Sequence, residues 1–370
     1  MVKIKTAHVI HQLCRGGAET SLYDICRFFN FKDIEFTIII FEKDSDFEDE
    51  FKKLKNIKII NLNAKSRYDP VIFFKLFNVF KAENFDIVHT HLPVAGIYSR
   101  IINLFFKKKL ITTQHSVLYK TSVFHKIDRL TMRMFNYGTI ANSIFTRKFL
   151  QKYNYIDQNK TELIYLGADF SKLDNPKTNK AMRKFIGINE SDIVLGHIGS
   201  FKPQKGHKYL INAFMKIHEK YKNSKLVLVG KGKLADEIKA LVKKNQLSNS
   251  VIFVGEKSNI KDYINMFDIF VFPSISESFG ISVLEALYLE KPVAAFNIDA
   301  VSEIIENGKD GVLTDSKNTS AFADAVINLL NNANLREKII SNAKNKAKKF
   351  EIDLCCEKLE EYYKKIYYEG

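Results

Sequence analysis

Short apolar runs alternate with amphipathic stretches of helical period along nearly the whole chain. A strand feeding a helix feeding another strand is a βαβ unit, and many in succession build parallel sheets with helices on both faces. The first half offers TAHVIHQL, EFTIIIF, IKIINL, DIVHTH, LITTQ, YGTIAN and TELIYL as strands, with helical patterns such as DPVIFFKLFNVFKA between them. A polar stretch, DFSKLDNPKTNK at 169–180, breaks the rhythm and reads as a linker. The second half restarts with IVLGHIG, KLVLVG, VIFVG, DIFVFPS and PVAAF, then turns helical and basic from about 319. The expectation is two doubly wound, Rossmann-like α/β domains, 1–170 and 171–350. Residues 351–370 are expected to form a C-terminal helix that packs back toward the first domain. Parallel sheets carry ligands at the carboxyl ends of their strands, and two such domains in tandem enclose a cleft.

With 370 residues, 46% hydrophobic and 27% charged, the chain has the composition of a globular protein and not of a disordered or fibrous one. Cys14, Cys26, Cys355 and Cys356 make no C-x-x-C pair, which argues against a disulfide or zinc framework. No stretch is long and apolar enough for a spanning helix or a signal peptide, so a cytoplasmic protein is expected. The net charge is +15, with +9 in residues 1–170. Residues 97–153 alone hold eleven basic residues against one acid, Asp128. Such a patch suits nucleic acid, anionic lipid or a phosphorylated substrate, and is equally the pattern of a solvated face.

Three turns carry chemistry. Strand TAHVIHQL runs into Arg15-Gly16-Gly17-Ala18-Glu19 and a helix. Paired glycines there let backbone approach a phosphate at the helix start, although a plain βα turn uses the same residues. After IVLGHIG comes Gly199-Ser200-Phe201-Lys202-Pro203-Gln204-Lys205-Gly206, which lacks the order of a nucleoside-triphosphate loop. Its lysines either neutralise charge on a leaving phosphate or are simply solvated. After DIFVF comes Pro273-Ser-Ile-Ser-Glu277-Ser278-Phe279-Gly280-Ile281-Ser-Val-Leu-Glu285-Ala286. The amides of Phe279, Gly280 and Ile281 at a helix start suit a diphosphate, and Glu277 and Glu285 suit sugar or ribose hydroxyls.

This phrase resembles glycosyltransferase family 4, the retaining nucleotide-sugar transferases of GT-B fold. Its hallmark is two glutamates separated by seven residues, matched here by Ser274, Glu277, Phe279, Gly280, Leu284, Glu285 and Ala286. The resemblance extends in order through Gly16–Glu19, His89, His91, His115, Ser143, Tyr165–Asp169, Gly199–Gly206, Gly230–Gly232, Asp268 and Glu303-Ile304. It implies a GT-B fold, with the two domains facing across a cleft. It also implies that Lys205 steadies the leaving diphosphate, Glu285 holds the ribose, Glu277 holds the donor sugar, and His115 stands beside the reacting sugar. Catalysis is thus expected from His115, Lys205 and Glu277. Donor binding adds Gly16, Gly17, Gly199, Ser200, Lys257, Ile260, Ser278, Phe279, Gly280, Ile281 and Glu285.

Retention is expected by front-face attack, with no metal and no cofactor, since no Asp-x-Asp motif stands in a suitable loop and Lys205 with helix amides can replace a cation. UDP is the expected carrier. Three positions depart from the family's pattern: Ser200 replaces a frequent arginine, Glu290 a usual glycine, and Asp299-Ala300 a common Gly-Gly ahead of Glu303. The acceptor side is expected on the first domain, as a patch of His91, Arg100, Lys107, Lys108, Lys109, Lys126, Arg129 and Arg133. Basic amphipathic segments at 97–109 and 124–135 suit peripheral contact with an anionic membrane, at the inner face of the cell membrane. The expected acceptor is a glycan or lipid-linked sugar of a bacterial surface polysaccharide. A soluble small acceptor and a non-catalytic sugar-nucleotide-binding relative stay open. A nucleic-acid partner is not expected, because no reading helix or aromatic sheet face accompanies the charge.

Overall fold

The computed structural model describes residues 3–14, 16–43, 45–115, 123–153 and 156–369. Arg15 and Lys120 lie outside them. The chain divides into two units, Met1–Gly167 with Ile352–Gly370, and Ala168–Glu351.

In the first unit, strands β1 (Ile4–Ile10), β2 (Ile34–Glu42), β3 (Ile57–Ala64), β4 (Ile87–His91), β5 (Lys109–Gln114), β6 (Gly138–Ala141) and β7 (Thr161–Leu163) form a parallel sheet in the order 3-2-1-4-5-6-7. Its helices are α1 (Gly17–Phe28), α2 (Glu48–Lys52), α3 (Val71–Glu83), α4 (Pro93–Phe106), α5 (Val123–Phe135) and α6 (Ile144–Lys152). Ile38, Ile39, Ile40 and Phe41 are all buried, because a central parallel strand has core on both faces. That is why such strands read as continuous apolar runs and not as alternations.

The second unit holds β8 (Ile193–Ile198), β9 (Ser224–Val229), β10 (Val251–Gly255), β11 (Ile269–Phe272), β12 (Val293–Asn297) and β13 (Val312–Asp315), in the order 10-9-8-11-12-13. Around it lie α7 (Asn179–Phe185), α8 (His207–Lys220), α9 (Ala235–Lys244), α10 (Ile260–Met266), α11 (Ile281–Tyr288), α12 (Asp299–Ile304), α13 (Thr319–Asn331) and α14 (Ala333–Lys348). Strand β13 escapes the sequence reading: it is a four-residue edge strand whose side chains are half-buried or exposed.

The last helix, α15 (Ile352–Tyr368), belongs to the first unit. Cys355, Cys356, Leu359, Tyr363 and Ile366 enter one apolar cluster with Ile25 and Cys26 of α1 and with Ile87, Ile111 and Ile140 of the sheet. Lys364 ties the outer face to Asp33 (2.8 Å) and pairs with Glu360 one turn earlier on the same helix (2.7 Å).

Both sheets reverse their strand order once, between β1 and β4 and between β8 and β11. Loops leaving the carboxyl ends of the two strands at such a point diverge, and the gap between them is where ligands bind.

Candidate functional site

At the reversal in the second unit, the loop after β8 and the loop after β11 are fixed against each other. Gly206 has φ +68°, and a Cβ there would stand 1.9 Å from the carbonyl oxygen of Pro273. Only glycine fits. Ile275 N–H donates to the Gln204 carbonyl at 2.8 Å, which ties the loops a second time. Phe201, buried, anchors the first loop through its amide to the Lys231 carbonyl at 2.9 Å. Lys205 Nζ then lies 2.5 Å from Glu277 Oε1 and 5.6 Å from the centre of the Phe272 ring, at the end of β11. Both charged side chains are largely shielded from solvent, so the pair is stronger than an exposed one.

Gly280, at φ +125°, caps α11. Phe279 turns inward and packs edge-on against Phe350 at 5.6 Å. The first amides of α11 have no carbonyl within the helix to bond, so this end carries partial positive charge. Glu285, 4% exposed, stands on the following turn with Lys172 Nζ 3.4 Å from its carboxylate. Gly199, Ser200, Lys205, Glu277, Ser278, Phe279, Gly280, Ile281 and Glu285 are thus carried by the two loops and the helix at one edge of one sheet. Lys202 is exposed. Lys257 and Ile260 lie farther along that edge, after β10, which is two strands from β8; Lys257 is exposed and Ile260 opens α10.

Beneath the Gly199 loop His197 donates Nδ1–H to the Val271 carbonyl at 2.9 Å. Burial, with the nearby His207 and Lys205, holds its pKa well below the usual value. The sequence reading does not single out His197, nor Lys172, whose partner is distant in sequence.

In the first unit, Gly16 caps α1 in an extended conformation, and Gly17 is exposed with open space around it. The larger feature is a line of histidines on one sheet face. His8 on β1 pairs in register with His89 on β4, and His91 lies two residues on. His8 Nδ1 is 3.0 Å from His91 Nε2, and His91 Nδ1 is 2.9 Å from His115 Nε2. Tyr363 Oη of α15 lies 2.5 Å from His89 Nδ1 and 3.2 Å from His8 Nε2. His89 Nε2 reaches Thr113 Oγ1 at 2.7 Å. Burial lowers every ring's pKa, to about 3 for His8 and about 4 for His115, so all are neutral at pH 7. Leu92, directly after His91, has φ +69° and ψ 152°, a backbone region costly to any residue but glycine.

Two members of the predicted acceptor patch are misplaced. His91 is buried within the histidine line and reaches no surface. Arg100 is 0% exposed: it forms an ion pair with Asp128, and its Nε donates to Thr131 Oγ1 at 3.0 Å. A Cβ on Gly96 would come 2.8 Å from Arg100 Nη1, so the glycine one turn earlier makes room for the guanidinium. A buried arginine needs a buried carboxylate, and the segment's one acid supplies it.

Lys109 donates to the Ile366 carbonyl at 2.5 Å and so secures the end of α15, while Lys108 donates to Asn84 Oδ1 at 2.8 Å. Lys107, Lys126, Arg129 and Arg133 are exposed. They share α5 and the end of α4 with bare apolar side chains, including Val123 (72% exposed), Phe105 (66%), Leu130 and Met134. Helices α4 and α5 pack together. Among the described residues no helix is long and apolar enough to cross a membrane.

Two family models match the chain: the one described as Glycosyltransferase Family 4 over residues 15–172, and the one described as Glycosyl transferases group 1 over residues 178–346. N-acetyl-alpha-D-glucosaminyl L-malate synthase of Bacillus anthracis is 28% identical over 82% of this chain and 79% of its own length. The UDP-Gal:alpha-D-GlcNAc-diphosphoundecaprenol alpha-1,3-galactosyltransferase of Escherichia coli is 25% identical over 92% and 93%. Among solved structures, Anabaena Alr3699/HepE in complex with UDP-glucose superposes with a TM-score of 0.87 over 98% of this chain and 100% of that one, at 20% identity.

Proposed function

Because the chain belongs to glycosyltransferase family 4 and has the fold of its GT-B members, we propose that it is a retaining, metal-independent enzyme that moves the sugar of a UDP-sugar onto a hydroxyl of a lipid-linked or glycan acceptor. The observation that carries this reading is the Lys205–Glu277 pair at the positive end of α11, one helical turn from Glu285. An entering diphosphate offers the ammonium more negative charge than one carboxylate does. Lys205 then turns to phosphate, and Glu277 is released to accept hydrogen bonds from sugar hydroxyls. Lys205 and the α11 amides together supply the positive charge that a departing diphosphate needs, which supports the reading without a metal. Glu285 accepts from the ribose hydroxyls. Glu277 is engaged in orienting the sugar, so the acceptor oxygen attacks from the face the phosphate leaves, and that phosphate takes the proton.

The acceptor reading is supported by the exposed cations and apolar side chains on α4 and α5, which suit the headgroup region of an anionic bilayer. It places the enzyme at the inner face of a bacterial membrane, in surface polysaccharide synthesis. The E. coli relative is named for a diphosphoundecaprenol-linked acceptor and the B. anthracis relative for L-malate, which keeps a soluble acceptor as the second reading.

The test offers the purified chain UDP-sugars in EDTA with either a polyprenyl-diphosphate-linked sugar in anionic vesicles or L-malate in solution. The expected result is UDP release that needs the vesicle-borne acceptor, and an α-linked product from an α-linked donor. Turnover only with L-malate would replace the lipid-linked reading with the soluble one. A β-linked product would refute retention.

A further inference from the structure

The line of histidines in the first unit has a direction, and the direction follows from one proton. Tyr363 Oη stands between two imidazole nitrogens, 2.5 Å from His89 Nδ1 and 3.2 Å from His8 Nε2. A phenol has a single proton, and O–H···N bonds are shorter than N–H···O bonds, so that proton lies toward His89. His8 must then donate Nε2–H to the phenol oxygen, which leaves its Nδ1 to accept from His91 Nε2–H at 3.0 Å. His91 Nδ1 in turn accepts from His115 Nε2–H at 2.9 Å. At the inner end His89 donates Nε2–H to Thr113 Oγ1 at 2.7 Å. A neutral imidazole has one proton and one lone pair, so the choice made at Tyr363 settles every ring. His115 is left with an unused lone pair on Nδ1, an atom that is shielded from solvent and that no described residue bonds.

We propose that Tyr363, on the C-terminal helix, is a positioning residue that holds His115 in its Nε2–H tautomer, so that Nδ1 keeps its lone pair for a hydroxyl of the substrate sugar that uncovers this buried atom on binding. The proposal rests on the reading of His115 as the residue that meets the sugar. Two further observations fit it. The rings are held neutral by burial, and a protonated ring would break the order. The strained Leu92 fixes the chain directly after His91, at the reversal of strand order where positioning matters most. A metal on His8, His89 and His91, whose nitrogens lie within 4.8 Å of one another, would need the lone pairs that this order uses in hydrogen bonds.

The experiment is two-bond 1H–15N correlation on the full chain labelled with 15N-histidine, in the wild type, Tyr363→Phe and Thr113→Val. Expected is a pure Nε2–H His115 in the wild type, and averaged nitrogens in Tyr363→Phe. Thr113→Val should leave His115 unchanged, because Thr113 lies beyond the tyrosine. Sugar turnover in Tyr363→Phe is expected to fall about tenfold in kcat with the donor KM within about twofold. An Nδ1–H His115 in the wild type overturns the proposal even where the variant does not fold. A tautomer unmoved by Tyr363→Phe overturns it too, as does one equivalent of zinc retained on the histidines. If His115→Ala keeps full turnover, the role of His115 at the sugar fails, while the tautomer result still decides the chain.

Discussion

Gly206 and Glu290 are both in the left-handed region, at φ +68° and +56°, and only one of them is a glycine. At Gly206 an added Cβ meets the Pro273 carbonyl, so Gly206→Ala must push apart the two loops that bring Lys205 to Glu277. We expect it to cost about 3 kcal/mol in stability and to weaken nucleotide binding at least tenfold. Denaturant unfolding and titration calorimetry check both effects. Glu290 ends α11 in a conformation that glycine adopts freely, which gives the family's usual glycine at this position a physical reason. Glu290→Gly is expected to raise stability by about 1 kcal/mol, the left-handed strain outweighing the added freedom of the unfolded chain. A lower midpoint in urea would show that Glu290 makes a compensating interaction.

At the scale of elements, the strands were the most legible part of the chain. β2 and β11 lie inside their sheets and write short, mostly apolar runs, whereas β13 is a half-exposed edge strand and writes none. The loops after β8 and β11 were legible through their glycines and glutamates. Their tie through Gly206 and Pro273, and the approach of Lys172 to Glu285, depend on residues far apart in sequence. A count of charges ignores direction and so places Arg100 on the surface; Gly96 one turn before it and the isolated Asp128 are the signals that it is buried. His8, His89, His91 and His115 share one strand phase, yet without the strand order nothing in the sequence sets β1 beside β4. These buried rings carry a pH prediction. Their folded pKa values lie below the 6.5 of the unfolded chain, so between the two the unfolded chain holds more protons. Their contribution to stability is complete above about pH 6.5 and is lost as pH falls below it through the lowered folded values. His11 adds to the first unit, while the second has only His197 and His207 strongly lowered. Hydrogen exchange near pH 5 should therefore show the first unit opening before the second; the reverse order would show that these rings do not set the acid response.

At the scale of the whole molecule, the chain leaves the first unit at Gly167 and returns to it at Ile352. The two segments run side by side: a Cβ on Gly167 would stand 2.4 Å from Ile352 Cα, and Ala168 N–H donates to the Phe350 carbonyl at 2.9 Å. The returning helix completes the first unit's core with Ile352, Cys355, Cys356, Leu359, Tyr362, Tyr363 and Ile366. At about 1.5–3 kcal/mol for each large apolar side chain, their loss rivals the 5–15 kcal/mol that holds a domain together. A chain ending at Glu351 should keep a folded second unit and lose the first, as read by limited proteolysis; a protected first unit would show that α15 is dispensable. Such a chain should still bind nucleotide, since the Lys205–Glu277 pair, α11 and Glu285 all lie in the second unit. That edge is read as the donor site, and calorimetric titration of the full chain with UDP in EDTA checks this. Binding without a metal is expected, weakened at least tenfold by Lys205→Met and by Glu285→Gln. UDP binding that is absent in EDTA would show that a metal is needed, and binding unchanged in both variants would show that the donor lies elsewhere.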